Sequence, residues 1–257
     1  MKRGVSRGVD PKLSALLEKH PHNIGHCVLC EKESIFIELE EWLRDHYICY
    51  QCGSIPRHRA LVSALNLFVP NWRNLSLHES SPGNALSDFL KRSSADYSSS
   101  HYYEDVPRGE YKGDHRSEDL SRLTYKDNSF DVLVTSDVFE HVLEPQKAFK
   151  EIARVLKPGG VHIFTMPWYG TLEKSVQRVK LTGNKMKHLL EPVYHGNPIS
   201  GEGSIVTYDW GKDFSDIIHK ASGMTTTTIV QKDRSLGLEA EFLEVFVSRN
   251  PLKLTGH

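Results

Sequence analysis

From about residue 74 onward, short apolar runs alternate with amphipathic stretches. FDVLVTS at 130–136 is almost continuously apolar, as expected of a strand buried on both faces. Residues 146–156 repeat apolar positions at helical spacing, and Lys157-Pro-Gly-Gly160 is expected to stop that helix before a strand at 161–166. Upstream, 75–79 reads as a short strand and 83–91 as a helix. A further strand is expected to end near Tyr103, in a Ser-, Tyr- and Gly-rich region. Residues 172–190 are expected to hold helical pieces. Residues 208–222 read as a helix with Gly223 just past its end, and 225–231 and 241–248 as an antiparallel pair joined through Gly237. Strands alternating with helices imply a mostly parallel sheet covered on both faces, an α/β fold.

The first 70 residues follow another pattern. Asp10 and Pro11 suit the cap and first position of a helix ending by Pro21. Strand-like pieces follow at 35–37 and 47–48. Leu61, Leu65 and Phe68 mark a helix over 56–68, with Ser54 as its expected cap and Pro70 closing it. Between these elements lie all four cysteines of the chain, as Cys27-x2-Cys30 and Cys49-x2-Cys52. Two residues between cysteines let both sulfurs reach one tetrahedral ion, and two such pairs make a four-cysteine zinc site. Four thiolates leave no position for water, so the zinc is expected to be structural. His22, His26, His46 and His58 lie nearby, but the cysteine set is complete without them. The expected organisation is a tail and short helix at 1–21, a zinc-ribbon-like module at 22–54 and a large domain at 55–257.

Composition changes this picture little. Of 257 residues, 39% are hydrophobic and 25% charged, with a formal net charge of -1, so bulk electrostatics point to neither nucleic acid nor membrane. No apolar run approaches the length of a membrane helix, and no apolar stretch follows the basic opening (Lys2, Arg3, Arg7), so neither membrane insertion nor a secretory signal is expected. Clustered cysteines suit a reducing compartment, and the expected location is cytoplasmic. One basic stretch, Lys174, Arg178, Lys180, Lys185 and Lys187, contains no acidic residue; it reads as a solvated helix face or as an attractor of phosphates.

FDVLVTSDVFEHV at 130–142, followed by Arg154-Val-Leu-Lys-Pro-Gly-Gly160, resembles the class I S-adenosylmethionine-dependent methyltransferases of the broad "type 11" kind, over roughly residues 74–247. The resemblance implies a Rossmann-like seven-stranded sheet ending in an antiparallel pair, with S-adenosylmethionine at the carboxyl edge of its strands. Ser136 and Asp137 would be delivered to that edge. The family's first loop follows an acid and is glycine-rich; here it is Glu79-Ser80-Ser81-Pro82-Gly83-Asn84, with the acid present and a single glycine. That departure resembles a glycan-biosynthesis-associated subgroup with a glycine-poor first loop, which also begins with a CxxC pair and a following helix, as at Ser54-Ile-Pro-Arg-His-Arg-Ala-Leu61. Glu79, Ser80 and Gly83 are thus candidate cofactor residues.

The second strand should end in an acid that binds the ribose. His101 and Tyr102 stand there, with Glu104 and Asp105 just behind, and the sequence leaves the choice open. Asp119 and Leu120, in Arg116-Ser-Glu-Asp-Leu120, match the loop that would meet the adenine. Methyl transfer needs alignment of the acceptor and, for a hydroxyl, a base. His195, in a Pro- and Gly-rich loop, is the favoured base and His141 the second candidate, since histidine titrates near neutrality. Trp168 and Tyr169 end the fifth strand, as pocket wall or as core.

Methyl transfer to a small-molecule or glycan acceptor, with a hydroxyl preferred, is the first reading. An RNA methyltransferase gripping nucleic acid through the zinc module is the second. It is disfavoured because Glu31, Glu33, Glu38, Glu40, Glu41 and Asp45 outnumber the module's basic residues. A binding protein that kept the fold and lost the cofactor is the third. Oligomeric state is not legible in the sequence.

Overall fold

The computed structural model describes residues 10–183, 185–196 and 203–252. The basic opening at 1–9 and the 197–202 part of the His195 loop lie outside the described residues. In chain order the elements begin with α1 (Pro11–Lys19), β1 (His22–Cys27), β2 (Lys32–Glu38), α2 (Leu43–His46), β3 (Tyr47–Cys49) and α3 (Pro56–Phe68). The central run is β4 (Ser76–Ser80), α4 (Ala85–Ser93), β5 (Asp96–His101), β6 (Tyr111–Lys112), β7 (His115–Ser117), β8 (Phe130–Ser136), α5 (Pro145–Val155) and β9 (Leu156–Thr165). Short pairs follow in β10 (Val176–Gln177), β11 (Val179–Thr182), β12 (Lys185–His188), β13 (Tyr194–His195), β14 (Ser204–Ile205) and β15 (Tyr208–Asp209). The chain closes with α6 (Phe214–Ser222), β16 (Thr225–Ile229) and β17 (Val245–Arg249).

The main sheet runs β16-β17-β9-β8-β4-β5-β7-β6. Strands β7, β5, β4, β8 and β9 are parallel, whereas β17 and β16 close one side antiparallel, as expected. The eighth strand, β6, was not foreseen: Gly113 at φ +61 reverses the chain between Lys112 and His115 and adds a short antiparallel edge.

Strand alternation explains the two cores. Val132, Val134, Val161, Ile163, Val245 and Val247 face one side, with Leu61, Leu65, Leu86 and Phe89 of the covering helices. Leu133, Phe164 and Phe246 face the other, against Ala148, Phe149 and Ile152 of α5 and Phe214 and Ile218 of α6. Each such side chain contributes roughly 1.5–3 kcal/mol by leaving water.

The cysteine module is built into the first core. Cys27, Leu29, Phe36, Tyr47 and Cys49 belong to one buried cluster with Leu61, Leu65, Leu238 and Val245. Gly25 shows how close the fit is: a Cβ there would lie 2.1 Å from the Ser235 carbonyl oxygen. The fully buried Arg59 guanidinium clasps the module to the C-terminal loop, donating to the carbonyls of Tyr47 and Gly237 at 2.8 Å and stacking 4.6 Å over Phe36.

Several local expectations are corrected. Residues 172–190 form β10–β12 rather than helix, because Gly183 at φ +62 turns β11 into β12. The basic stretch is therefore in part a ribbon, with Lys180 directly opposite Lys187. The helix expected from 208 begins at Phe214, since Tyr208 and Asp209 pair with Gln177 and Val176. The Lys157–Gly160 turn is a bulge inside β9, which starts at Leu156; the register with β8 shifts there. Ser54 does not cap α3, whose first turn starts from Ile55 with no side-chain cap. Ser54 Oγ instead lies 3.2 Å from Cys52 Sγ and accepts from Arg59.

Candidate functional site

The four cysteine sulfurs converge. Cys27 Sγ lies 3.8 Å from Cys52 Sγ, Cys30 Sγ lies 3.7 Å from Cys49 Sγ, and all four are within 4.8 Å of one another. A tetrahedral ion with metal–sulfur bonds near 2.3 Å requires sulfur–sulfur edges of about 3.8 Å, so the donor set fits zinc. None of the four is in a disulfide.

At the carboxyl edge of the sheet, Ser80 stands beside Ser100 on one side and Thr135 on the other, and His101 beside Ser117. The strand ends expected to meet the cofactor thus form one edge. Within it the glycine-poor loop is shaped by Ser81, which takes φ +64 and donates its N–H to the Ser100 carbonyl. Serine here adopts the left-handed geometry that glycine ordinarily provides.

Glu79 does not reach this edge. Its carboxylate turns under the loop, accepting from Ser87 Oγ at 2.8 Å and Tyr97 OH at 2.6 Å, while Ser87 Oγ accepts the Gly83 N–H. Its place is as a positioner of the loop. Burial pushes its pKa up to about 7 against the pull of the Tyr97 and Ser87 hydrogen bonds.

Of the candidates at the end of the second strand, His101 is the one held at the sheet edge. The second strand ends at His101 rather than Tyr103; Glu104 and Asp105 are exposed beyond it, and Asp105 pairs with Lys112 at 2.7 Å. His101 packs edge-on to His115 at 4.7 Å, and its Nδ1 is buried with no partner among the described residues. Burial, with His115 second, pulls its pKa down to about 4, so near neutrality the ring is uncharged and Nδ1 stands without a partner among the described residues. Tyr102 is exposed, Leu120 is buried, and Asp119 is half-buried with Oδ1 accepting from the Ser121 N–H at 2.8 Å.

Asp137 follows Ser136 in a left-handed conformation, φ +52. Its carboxylate accepts from Thr165 Oγ1 at 2.8 Å and pairs with Arg44 at 2.7 Å and Arg57 at 3.4 Å. Against the cost of burial, these two arginines pull its pKa down to about 2. Asp137 is therefore committed to protein partners, and the module and the helix that follows it each contribute one cation to the edge. Neither arginine was singled out from sequence. Both lie in the segment read as zinc module and following helix, and the charge pattern gave no sign that they reach residue 137. Replacing Asp137 with alanine should leave the nearly buried Arg44 unpaired and cost about 3–5 kcal/mol. Urea denaturation measures this, and a loss below about 1 kcal/mol would contradict the pairing.

His141 and His195 meet edge-on, with ring centroids 5.3 Å apart. His141 Nδ1 contacts the Ile205 carbonyl at 2.9 Å, and its Nε2 lies 3.8 Å from Glu140 Oε1; His195 Nδ1 lies 4.0 Å from the same oxygen. Sequence reasoning passed over Glu140, although it sits inside the quoted motif. Burial, then Asp137, pushes its carboxyl well above the usual range. His195 lines a cavity of about 310 Å³ with Tyr169, Thr171, Leu172, Arg178, Val193, Val206 and Asp209. The 2.6 Å ion pair of Arg178 with Asp209 lies in that wall. Tyr169 is thus a cavity residue, whereas Trp168 packs against Phe214 and Phe246.

Residues 90–164 match the family described as "Methyltransferase domain". Two curated relatives match locally. The ubiquinone/menaquinone biosynthesis C-methyltransferase UbiE of Bdellovibrio bacteriovorus is 52% identical over 42 residues, which cover 16% of this chain and 18% of that protein. The demethylmenaquinone methyltransferase of Clavibacter sepedonicus is 42% identical over 60 residues, 22% of this chain and 24% of that protein. Among solved structures, an S-adenosylmethionine-dependent methyltransferase from Mesorhizobium loti superposes with a TM-score of 0.50 at 14% identity, covering 74% of this chain and 97% of that one. A chain from the complex of the Haloferax volcanii Trm112 methyltransferase activator with a methyltransferase gives 0.50 at 13%, covering 78% and 92%. These likenesses establish the fold. No helix among the described residues is long and apolar enough to cross a membrane. Residues 90–164 are thus similar to a methyltransferase domain, and they lie in an α/β fold like that of S-adenosylmethionine-dependent methyltransferases.

Proposed function

We propose that the protein transfers a methyl group from S-adenosylmethionine to a polar small molecule or glycan, with a hydroxyl as the acceptor. The observation that carries the reading is the sheet edge formed by Ser80, His101 and Ser136, the last two within the residues that match a methyltransferase domain. There the unpaired His101 Nδ1 would meet a ribose hydroxyl, the 81–84 loop the methionine part, and Asp119 and Leu120 the adenine. Asp137 would act on the cofactor through Arg44 and Arg57, whose charge suits the methionine carboxylate. S-adenosylmethionine supplies a methyl on a sulfonium leaving group; the protein orients the two reactants and accepts or sheds a proton. A polar acceptor is favoured by the cavity wall, where Arg178, Asp209, His195 and Thr171 stand among the apolar residues.

A second reading, methylation of a quinone carbon, draws on the local identity to two quinone-pathway enzymes. The charged cavity wall weighs against it, as the acid-rich module weighs against RNA. In the same reading the four cysteines hold one structural zinc ion.

Calorimetry should show S-adenosylmethionine binding; none at millimolar cofactor would sink the assignment and favour a protein that lost the cofactor. With the acceptor found by labelled methyl transfer to sugar nucleotides, glycans, quinones and RNA, His195→Ala should lower turnover at least about 100-fold. Cofactor affinity should stay within about twofold. Unchanged turnover would remove His195 from the reaction.

A further inference from the structure

Glu140 poses a problem the methyl-transfer reading leaves unsolved. Its side chain is 2% exposed, and Oε2 has no hydrogen-bond partner among the described residues. Two imidazoles face its other oxygen beyond hydrogen-bonding distance, at 3.8 and 4.0 Å. A buried carboxylate in that position is costly unless something meets it.

The surroundings are built to hold these groups still. The backbone N–H and Oγ1 of Thr207 donate to the Glu140 carbonyl at 2.6 and 3.0 Å, tying the loop after β8 to the segment after β14. Pairing of β13 with β14 puts His195 opposite Ser204 and Tyr194 opposite Ile205. Ile205 in turn accepts from His141. A carbonyl oxygen can only accept, so the His141 proton must be on Nδ1. The Nε2 lone pair is thereby aimed at the space shared with Glu140 and His195. Such an outer hydrogen bond to a backbone carbonyl is what fixes metal-ligating histidines.

We propose that Glu140, His141 and His195 bind a divalent first-row transition-metal ion. Two imidazole nitrogens with one carboxylate favour manganese through zinc over magnesium or calcium. The three ligand atoms already lie within 4.8 Å of one another. Metal–ligand bonds near 2.1 Å require separations of about 3.0–3.4 Å, so each side chain moves inward by roughly half an ångström. Three protein ligands leave coordination positions open, and His195 places them on the cavity lined by Tyr169, Arg178 and Asp209.

The use of the ion rests on the methyl-transfer reading; the site itself does not. An acceptor hydroxyl bound there would lose its proton to water more readily. Its oxygen forms the bond to the methyl carbon as the sulfur–methyl bond breaks, and that electron pair stays on sulfur. His141 and His195 then act as ligands instead of as the free base.

The test is cobalt(II) titration of protein holding one zinc ion per chain, the number the four cysteines take, followed by calorimetry and absorption. One cobalt ion should bind per chain with the weak bands of a nitrogen and oxygen site, without the intense sulfur-to-cobalt charge transfer of a thiolate site. Glu140→Gln and His195→Ala should each weaken binding at least tenfold. The His195 side chain is 41% exposed on a short hairpin, so that variant keeps the fold and carries the test if Glu140→Gln does not. No binding at millimolar cobalt, thiolate bands alone, or unchanged affinity in His195→Ala would each overturn the proposal. S-adenosylmethionine calorimetry on the same preparation separates that failure from a failure of the methyltransferase reading.

Discussion

Cys49→Ser should purify with far less than one zinc per chain and unfold at a midpoint more than about 10 °C below the parent protein. Structural zinc sites contribute on the order of 10 kcal/mol of folding free energy at neutral pH, comparable to the whole stability of an ordinary domain. The effect should spread beyond the module because Cys49 is fully buried and shares its cluster with Leu61, Leu65 and Val245 under the main sheet. A loss of about 5 kcal/mol corresponds to roughly 10–20 °C for a chain of this size.

Arg59 strengthens the case. Its buried guanidinium stays charged, its pKa pulled down only to about 10, because Cys27 and Cys49 offset part of the burial cost. Four thiolates on a doubly charged ion carry a net negative charge, and Arg59 is the buried cation beside them. Metal analysis and thermal unfolding decide the matter. A parent protein free of zinc after preparation without chelators, with Cys49→Ser melting within about 2 °C of it, would end the zinc assignment.

The sheet was legible where each residue answered to one constraint. FDVLVTS is apolar because both faces of β8 are covered, and the cysteine spacing sets the sulfur geometry directly. Residues 172–190 misled because lysines on an exposed ribbon carry no hydrophobic period, and the deciding feature was a left-handed turn at Gly183. At the candidate site the pattern singled out His101, His141 and His195 but said nothing of what their neighbours do. Glu79 reads as a cofactor ligand until Ser87 and Tyr97, eight and eighteen residues on, are seen to occupy it. Asp137 is likewise claimed by Arg44, 93 residues earlier. Such partners are fixed by the packing of the module onto the sheet, a tertiary fact with no local signature. Ser81 hid the loop geometry because serine seldom takes the conformation it holds here.

Acid should unfold this protein unusually early, through histidines that the fold keeps neutral. Burial pulls His58, His78 and His162 down to about 3, and His101 to about 4. His78 sits between Ser98 Oγ and Ser100 Oγ, stacked on Phe130; His162 bonds Thr135 Oγ1 and stacks on Phe164 at 4.3 Å. In the unfolded chain each takes a proton near 6.5. Below that pH the unfolded state binds more protons than the folded one, so stability falls as pH drops from 6.5 toward 4. Glu79 acts in the opposite sense. Its folded pKa of about 7 exceeds the unfolded 4.5, so its contribution grows as pH falls through that window. Near pH 5.5 the four histidines take up roughly 3.5 protons on unfolding and Glu79 releases about one, so these five groups together contribute a slope of about 3–4 kcal/mol per pH unit. Glu140, raised by burial, reduces it, and His141 and His195, lowered by burial, add to it. Zinc thiolates released on unfolding add in the same direction, so the histidine share is isolated by substitution. His162→Gln keeps an amide beside Thr135 and removes one titrating group. Its stability, from urea denaturation at pH 7, 6 and 5, should fall less steeply by about 0.7 proton on average, or about 1 kcal/mol per unit. A slope identical to that of the parent would mean that His162 titrates alike in both states and that burial does not hold it neutral.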